Sequence, residues 1–158
     1  MGRVGQLIGH LTARVEPDEA AFARDVLPRA AWPLFDEMPV ADRRHALNVA
    51  QHLLDHGHHD PELLAAALLH DAAKGHRVRL WHRVGGVMLA AAAPAMLRRL
   101  ASADPSSRGY PWHLFLHHAA LSAEAALAAG CSARTAALIR GAANDDGQRA
   151  LDAADEAN

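Results

Sequence analysis

A chain of 158 residues, 51% hydrophobic and 22% charged, has the size and balance of a single domain able to bury its own core. Its net charge of −2, with histidine neutral, argues against a general affinity for nucleic-acid polymers, and its one cysteine, Cys131, excludes an internal disulfide framework. The longest apolar run, residues 85 to 97, is too short and too alanine-rich to span a bilayer, and no secretory segment opens the chain; the expectation is a cytoplasmic protein with no membrane partner.

Alanine is used heavily while aromatics make up 4%. That composition predicts an all-α chain, because alanine is the best helix former and sheets draw on branched and aromatic residues. Residues 3 to 15 place Val4, Leu7, Ile8, Leu11 and Val15 on one helical face. Pro17, Asp18 and Glu19 open a second helix, with acids in its first turn. Trp32, Leu34, Phe35 and Met38, closed by Pro39, read as a packing plug. Asp42 is expected to cap the next helix, whose core stripe is Ala46, Val49, Ala50, Leu53 and Leu54, with His45, Asn48 and His52 on an adjacent polar stripe. Gly57 ends that helix, and His56, His58 and His59 around it read as a solvated turn.

Asp60 followed by Pro61 and Glu62 is a cap with proline at the first helical position. The helix from 61 to about 72 is apolar nearly all round and should be central; Gly75 breaks it. Residues 80 to 92 form another helix despite Gly85 and Gly86 inside it, and Pro94 opens a short one carrying Met96, Leu97 and Leu100. Residues 102 to 111 form a loop. Residues 112 to 129 are helical up to Gly130, Ser132 caps a helix over 133 to 143, and a last helix covers 148 to 157. Residues 1 to 40 are expected to pack as N-terminal helices on a core made by 42 to 158, the whole forming one helical-bundle domain.

Twelve histidines against 16 lysines and arginines is the anomaly of the composition, since imidazole is the commonest metal ligand. His70 and Asp71, at the end of the buried helix, offer two unlike ligands from one short segment. Lys74 follows them at i+4 and i+3, on the same side of a helical turn, where a cation can face an anion. A divalent site needs three or four converging groups. His45 lies 25 residues upstream on the preceding helix, beside the core stripe. The last helix offers Asp152 and Asp155, of which Asp155 shares a face with Leu151 and is the stronger choice.

The order His45, then His70-Asp71 within Ala-Leu-Leu-His-Asp-Ala-Ala-Lys, then Asp155 within Ala-Leu-Asp-Ala-Ala-Asp resembles the HD-domain superfamily of metal-dependent phosphohydrolases over residues 42 to 158. It is similar to a small bacterial branch of uncharacterised HD proteins in its Leu34-Phe35 and Met38 prelude and its segment from 80 to 84. The resemblance implies an HD-type helical bundle and a site in which His45, His70, Asp71 and Asp155 hold one divalent ion (Mn, Fe, Co, Ni, Zn or Mg). The activity it implies is hydrolysis of a phosphomonoester or phosphodiester, such as that of a nucleotide or related small molecule. The pattern departs from relatives with two metals. His118 matches one second-site motif loosely, and Ala142 stands where the other has histidine, so a mononuclear site is expected.

With one metal, Asp71 can serve as ligand and as acceptor of a proton from the attacking water. Lys74 neutralises a phosphate oxygen, and His118 reaches the substrate or donates to the leaving group. Arg79, His82 and Arg83 contact the anionic substrate or form a solvated face. His113 and His117, with Tyr110 and Trp112, line the pocket mouth or pack the loop. The competing expectation is an HD-fold binding module, weakly active or inactive, that holds a nucleotide or a protein partner. The expected partner is otherwise a small phosphorylated substrate, and a homodimer is compatible with the sequence.

Overall fold

The computed structural model describes residues 14–78 and 80–158, and no strand occurs among them. The helix expected over residues 3 to 15 lies outside the described residues up to 13; Arg14 and Val15 enter the first described helix as non-helical chain. That helix, α1, covers Pro17–Val26, with Pro17 in its first turn and the Glu19 carboxylate accepting from the Glu16 amide at 2.9 Å. Helix α2 is Trp32–Asp36, and it drives Phe35 into the core with no exposed surface.

Helix α3 spans Val40–Asp55 and corrects one expectation. Asp42 does not cap it. The helix begins after Pro39, whose carbonyl accepts from the Asp42 amide at 2.8 Å, because a proline has no N–H to continue a helix backwards but can precede one. Asp42 sits buried in the first turn, where a carboxylate meets the positive end of the helix dipole. The exit is as expected: Gly57 adopts a left-handed φ of 83°.

Helix α4, Pro61–Leu69, is capped by Asp60, which accepts from the Glu62 amide at 3.0 Å. Residues 63 to 69 are all buried, as an all-round apolar helix requires. It ends a turn earlier than expected: His70 is its C-cap, and the chain tightens into a 3₁₀ turn, Ala72–Lys74, before Gly75. Helices α5 (Leu80–Ala92), α6 (Pro94–Leu100) and α7 (Tyr110–Ala128) follow. Helix α8, Ala133–Arg140, is capped by Ser132 and stops three residues short of the expected end, because Gly141 turns left-handed at φ 74° and the Ala142 amide closes back on Ala137. Helix α9, Asp146–Ala157, is capped by Asp145.

Helix α4 is the axis of the packing. It contacts α1, α2, α3, α7, α8 and α9, and residues from Ala23 to Ala154 join one core cluster around it. The segments before and after residue 42 therefore share a core. Helices α5 and α6 pack on each other and on α7. At the start of α4, the Arg134 guanidinium ties Asp60, Glu62 and Asp145 together, at 2.5, 3.1 and 2.9 Å. Two helix caps are thereby clamped to the first turn of α8. No helix of the described residues is long and apolar enough to cross a membrane.

Candidate metal centre

At the other end of α4, three segments meet. His45 comes from α3, His70 from the C-cap of α4, and Asp155 from α9, which packs against both helices. His45 Nε2 lies 2.8 Å from Asp155 Oδ1, and His70 Nε2 lies 3.5 Å from the same oxygen. The three donor atoms fall within 4.8 Å of one another. Asp155, rather than Asp152, is the acid that reaches the histidines; Asp152 accepts from Gln148 Nε2 at 2.8 Å on the exposed side of α9.

His70 Nδ1 sits 2.9 Å from the Ala67 carbonyl. A carbonyl only accepts, so Nδ1 carries a proton and, in the neutral ring, Nε2 carries the lone pair. His118 repeats the device on α7, with Nδ1 2.9 Å from the Phe115 carbonyl. Asp71, 3% exposed, accepts at Oδ2 from Lys74 Nζ at 2.7 Å. Its Oδ1 lies 3.7 Å from His70 Nε2 and 3.7 Å from His118 Nε2. Ser122, fully buried on α7, accepts from the Ala73 amide at 3.0 Å and so pins the turn that carries Asp71 and Lys74.

The charges are strongly coupled. Burial works against a charged His70 ring, but Asp71 and Asp155 outweigh it and raise the pKa. Burial likewise works against the Asp71 carboxylate, yet His70, Lys74 and His118 hold it well below the usual carboxylate range. The hydrogen bond from His45 and the nearby His70 ring hold Asp155 below that range as well. Burial and the nearby Lys74 push His118 down, which favours a neutral ring.

His70 Nε2 and Asp71 Oδ1 are both buried and neither has a hydrogen-bond partner. Buried polar atoms are normally paired, and two such acceptors aimed into one space are what a cation satisfies. Imidazole nitrogens together with carboxylate oxygens suit Mn, Fe, Co, Ni or Zn better than Mg, which prefers oxygen alone. The residues present therefore fit a divalent ion, with His45, His70 and Asp155 as its nearest group and Asp71 beside His70.

A cavity of about 190 Å³ opens over this cluster, lined by His70, His118 and Asp155 and walled by the end of α8 and one face of α9. Arg140, Gln148 and Asp152 border it. Of the three, only Asp152 carries a sequence signal for the site, because nothing in local spacing says that the end of α8 returns to this point. Lys74 is not part of the lining; its ammonium is engaged by Asp71. His82 is buried in an aromatic cluster, its ring 3.5 Å from that of Trp81 and 5.1 Å from that of Trp112, and does not line the cavity. Arg79 lies outside the described residues, and Arg83 lies within α5. The His113 and His117 rings are 4.6 Å apart on α7, beside Tyr110, and Trp112 packs against α5. No family model, curated protein or solved structure matches this chain, so the reading of the cluster rests on its own residues.

Proposed function

We propose that the chain is a metal-dependent phosphohydrolase of the HD-domain type, with a mononuclear site that cleaves a phosphomonoester or phosphodiester. The observation that carries this reading is the pair of partnerless buried acceptors, His70 Nε2 and Asp71 Oδ1, beside His45 and Asp155. His45, His70, Asp71 and Asp155 hold the ion. A bound divalent cation supplies Lewis acidity at a phosphoryl oxygen and eases deprotonation of water.

The rest is done by the chain itself. Lys74 occupies Oδ2 of Asp71, which leaves Oδ1 as the acceptor for the proton of an attacking water. His70 and the Lys74 ion pair keep Asp71 ionised at neutral pH despite its burial. His118 borders the cavity as a neutral ring whose Nε2, 3.7 Å from Asp71 Oδ1, can receive the water's proton from that oxygen and pass it to the leaving oxygen. The Phe115 carbonyl holds that ring in the required tautomer.

A binding module without turnover is the second reading. Ala142, with no donor atom, directly follows the cavity-lining Gly141, so no further imidazole reaches the site from the end of α8. Elemental analysis of the purified chain, followed by a panel of phosphate esters with Mn²⁺, Co²⁺ or Mg²⁺, separates the two. The hydrolase reading expects a bound transition metal and turnover that His70→Ala and Asp71→Ala abolish. Ligand binding with no turnover of any ester replaces it with the binding module.

A further inference from the structure

Arg140 is the last residue of α8 and borders the cavity above His70, His118 and Asp155. Of the described residues in the lining it alone carries a permanent positive charge, while Asp152 and Asp155 contribute two carboxylates. An anion entering there finds one guanidinium to meet it. Lys74, the other cation near the cluster, is held on Asp71. The Arg140 guanidinium has only a loose tie: its Nη2 is 3.8 Å from Glu124 Oε1, with the two side chains 51% and 67% exposed. A solvated contact of that kind contributes little and is displaced at little cost. The planar fork matches two oxygens of one phosphate.

Size and charge narrow the ligand further. A volume of about 190 Å³ lies below the roughly 300–1,000 Å³ of pockets that enclose drug-sized ligands. Ala119, Leu138, Ile139 and Leu151 give the cavity an apolar wall, while Gln148 and Asp152, hydrogen-bonded to each other at 2.8 Å, give it a polar rim suited to hydroxyls. The Asp152 carboxylate repels a second phosphate. Resting on the hydrolase reading above, we infer that Arg140 grips the substrate's phosphoryl group, and that the substrate is a phosphomonoester of a small hydroxylated alcohol rather than a nucleotide.

The test is calorimetric binding of inorganic phosphate, glycerol phosphate and adenosine monophosphate to the full chain with Mn²⁺, comparing wild type with R140K and R140A. Expected is a loss of glycerol phosphate affinity of about tenfold or more in R140A, partly restored by R140K, which keeps the charge without the fork. Mn²⁺ affinity and melting temperature stay at wild-type values. The inference is overturned if wild type binds no phosphate, if R140A binds as wild type does, or if adenosine monophosphate binds more than about tenfold tighter than glycerol phosphate. Phosphate held through Arg140 without turnover of any ester sinks the hydrolase reading and leaves the role of Arg140 standing. Turnover lost in H70A but with KM unchanged in R140A does the reverse.

Discussion

His70 and His118 show how single residues are prepared for their tasks. Each ring gives Nδ1 to a carbonyl three residues earlier in its own segment, Ala67 and Phe115, so the tautomer is decided by local backbone before any distant contact forms. Glu19 offers a cleaner test of electrostatics, far from the cluster. Its carboxylate receives both terminal nitrogens of Arg44, which also donates to the Arg14 carbonyl at 2.9 and 2.6 Å. The hydrogen bond from Arg44 lowers the Glu19 pKa, with burial a weaker opposing influence. A folded-state pKa below the unfolded value of about 4.3 means stabilisation fully present above that value and lost as pH falls through the folded one. Because Glu19 is about one-third exposed, water screening limits the effect to under about 1 kcal/mol. Urea unfolding of wild type and E19Q should differ by a constant amount from neutrality to about pH 5, with the difference shrinking below that. A difference that ignores pH would show that the pair contributes nothing.

At the scale of elements, Gly85 and Gly86 explain themselves through α7. A Cβ on Gly86 would stand 2.7 Å from the Phe115 ring, and one on Gly85 would stand 3.2 Å from Trp112. Glycine inside a helix normally costs about 1 kcal/mol relative to alanine, so two adjacent glycines in α5 need a packing reason, and the close approach of α5 to α7 supplies it. The sign of one substitution is therefore informative. Gly86→Ala should destabilise the protein by about 1 to 3 kcal/mol in urea melts, since overpacking against Phe115 exceeds the gain in helix propensity. An alanine variant more stable than wild type would mean that α5 does not lie against α7 in this way. The same contact gathers Trp81, His82 and Trp112 into one aromatic group and accounts for the burial of His82.

For the molecule as a whole, α4 acts as a strut with a different fastening at each end. At its start Arg134 clamps the caps of α4 and α9; at its finish His70 faces His45 and Asp155. A cation held there would join α3, α4 and α9, and so would bind the folded chain far better than the unfolded one. At a concentration about 100 times its Kd it would add about 2.7 kcal/mol. For a chain of this length that corresponds to a rise in Tm of roughly 5 to 10 °C. Scanning calorimetry with Mn²⁺ or Zn²⁺ should show the rise, excess chelator should reverse it, and H45A and D155A should both abolish it. A rise that survives both substitutions would place the cation elsewhere.

What could be read without coordinates were the features governed by neighbours in the chain. The Asp60-Pro61 start, the Ser132 cap, the stops at Gly57 and Gly130, and the apolar run from 63 to 69 all act over a turn or so of backbone, and the helices follow them. The choice of Asp155 over Asp152 was also legible, since the face of a helix follows from its period. Other outcomes needed the packed molecule. Asp42 looks like a cap until Pro39 is seen to begin the helix, and His82 looks available until Trp81 and Trp112 enclose it. His45 and Asp155 are 110 positions apart in the chain, and their 2.8 Å contact depends on α3 and α9 packing against the same central helix. The place of Arg140 beside the cavity has the same origin: no local pattern encodes it, because burial of apolar faces around α4 decides where the end of α8 comes to lie.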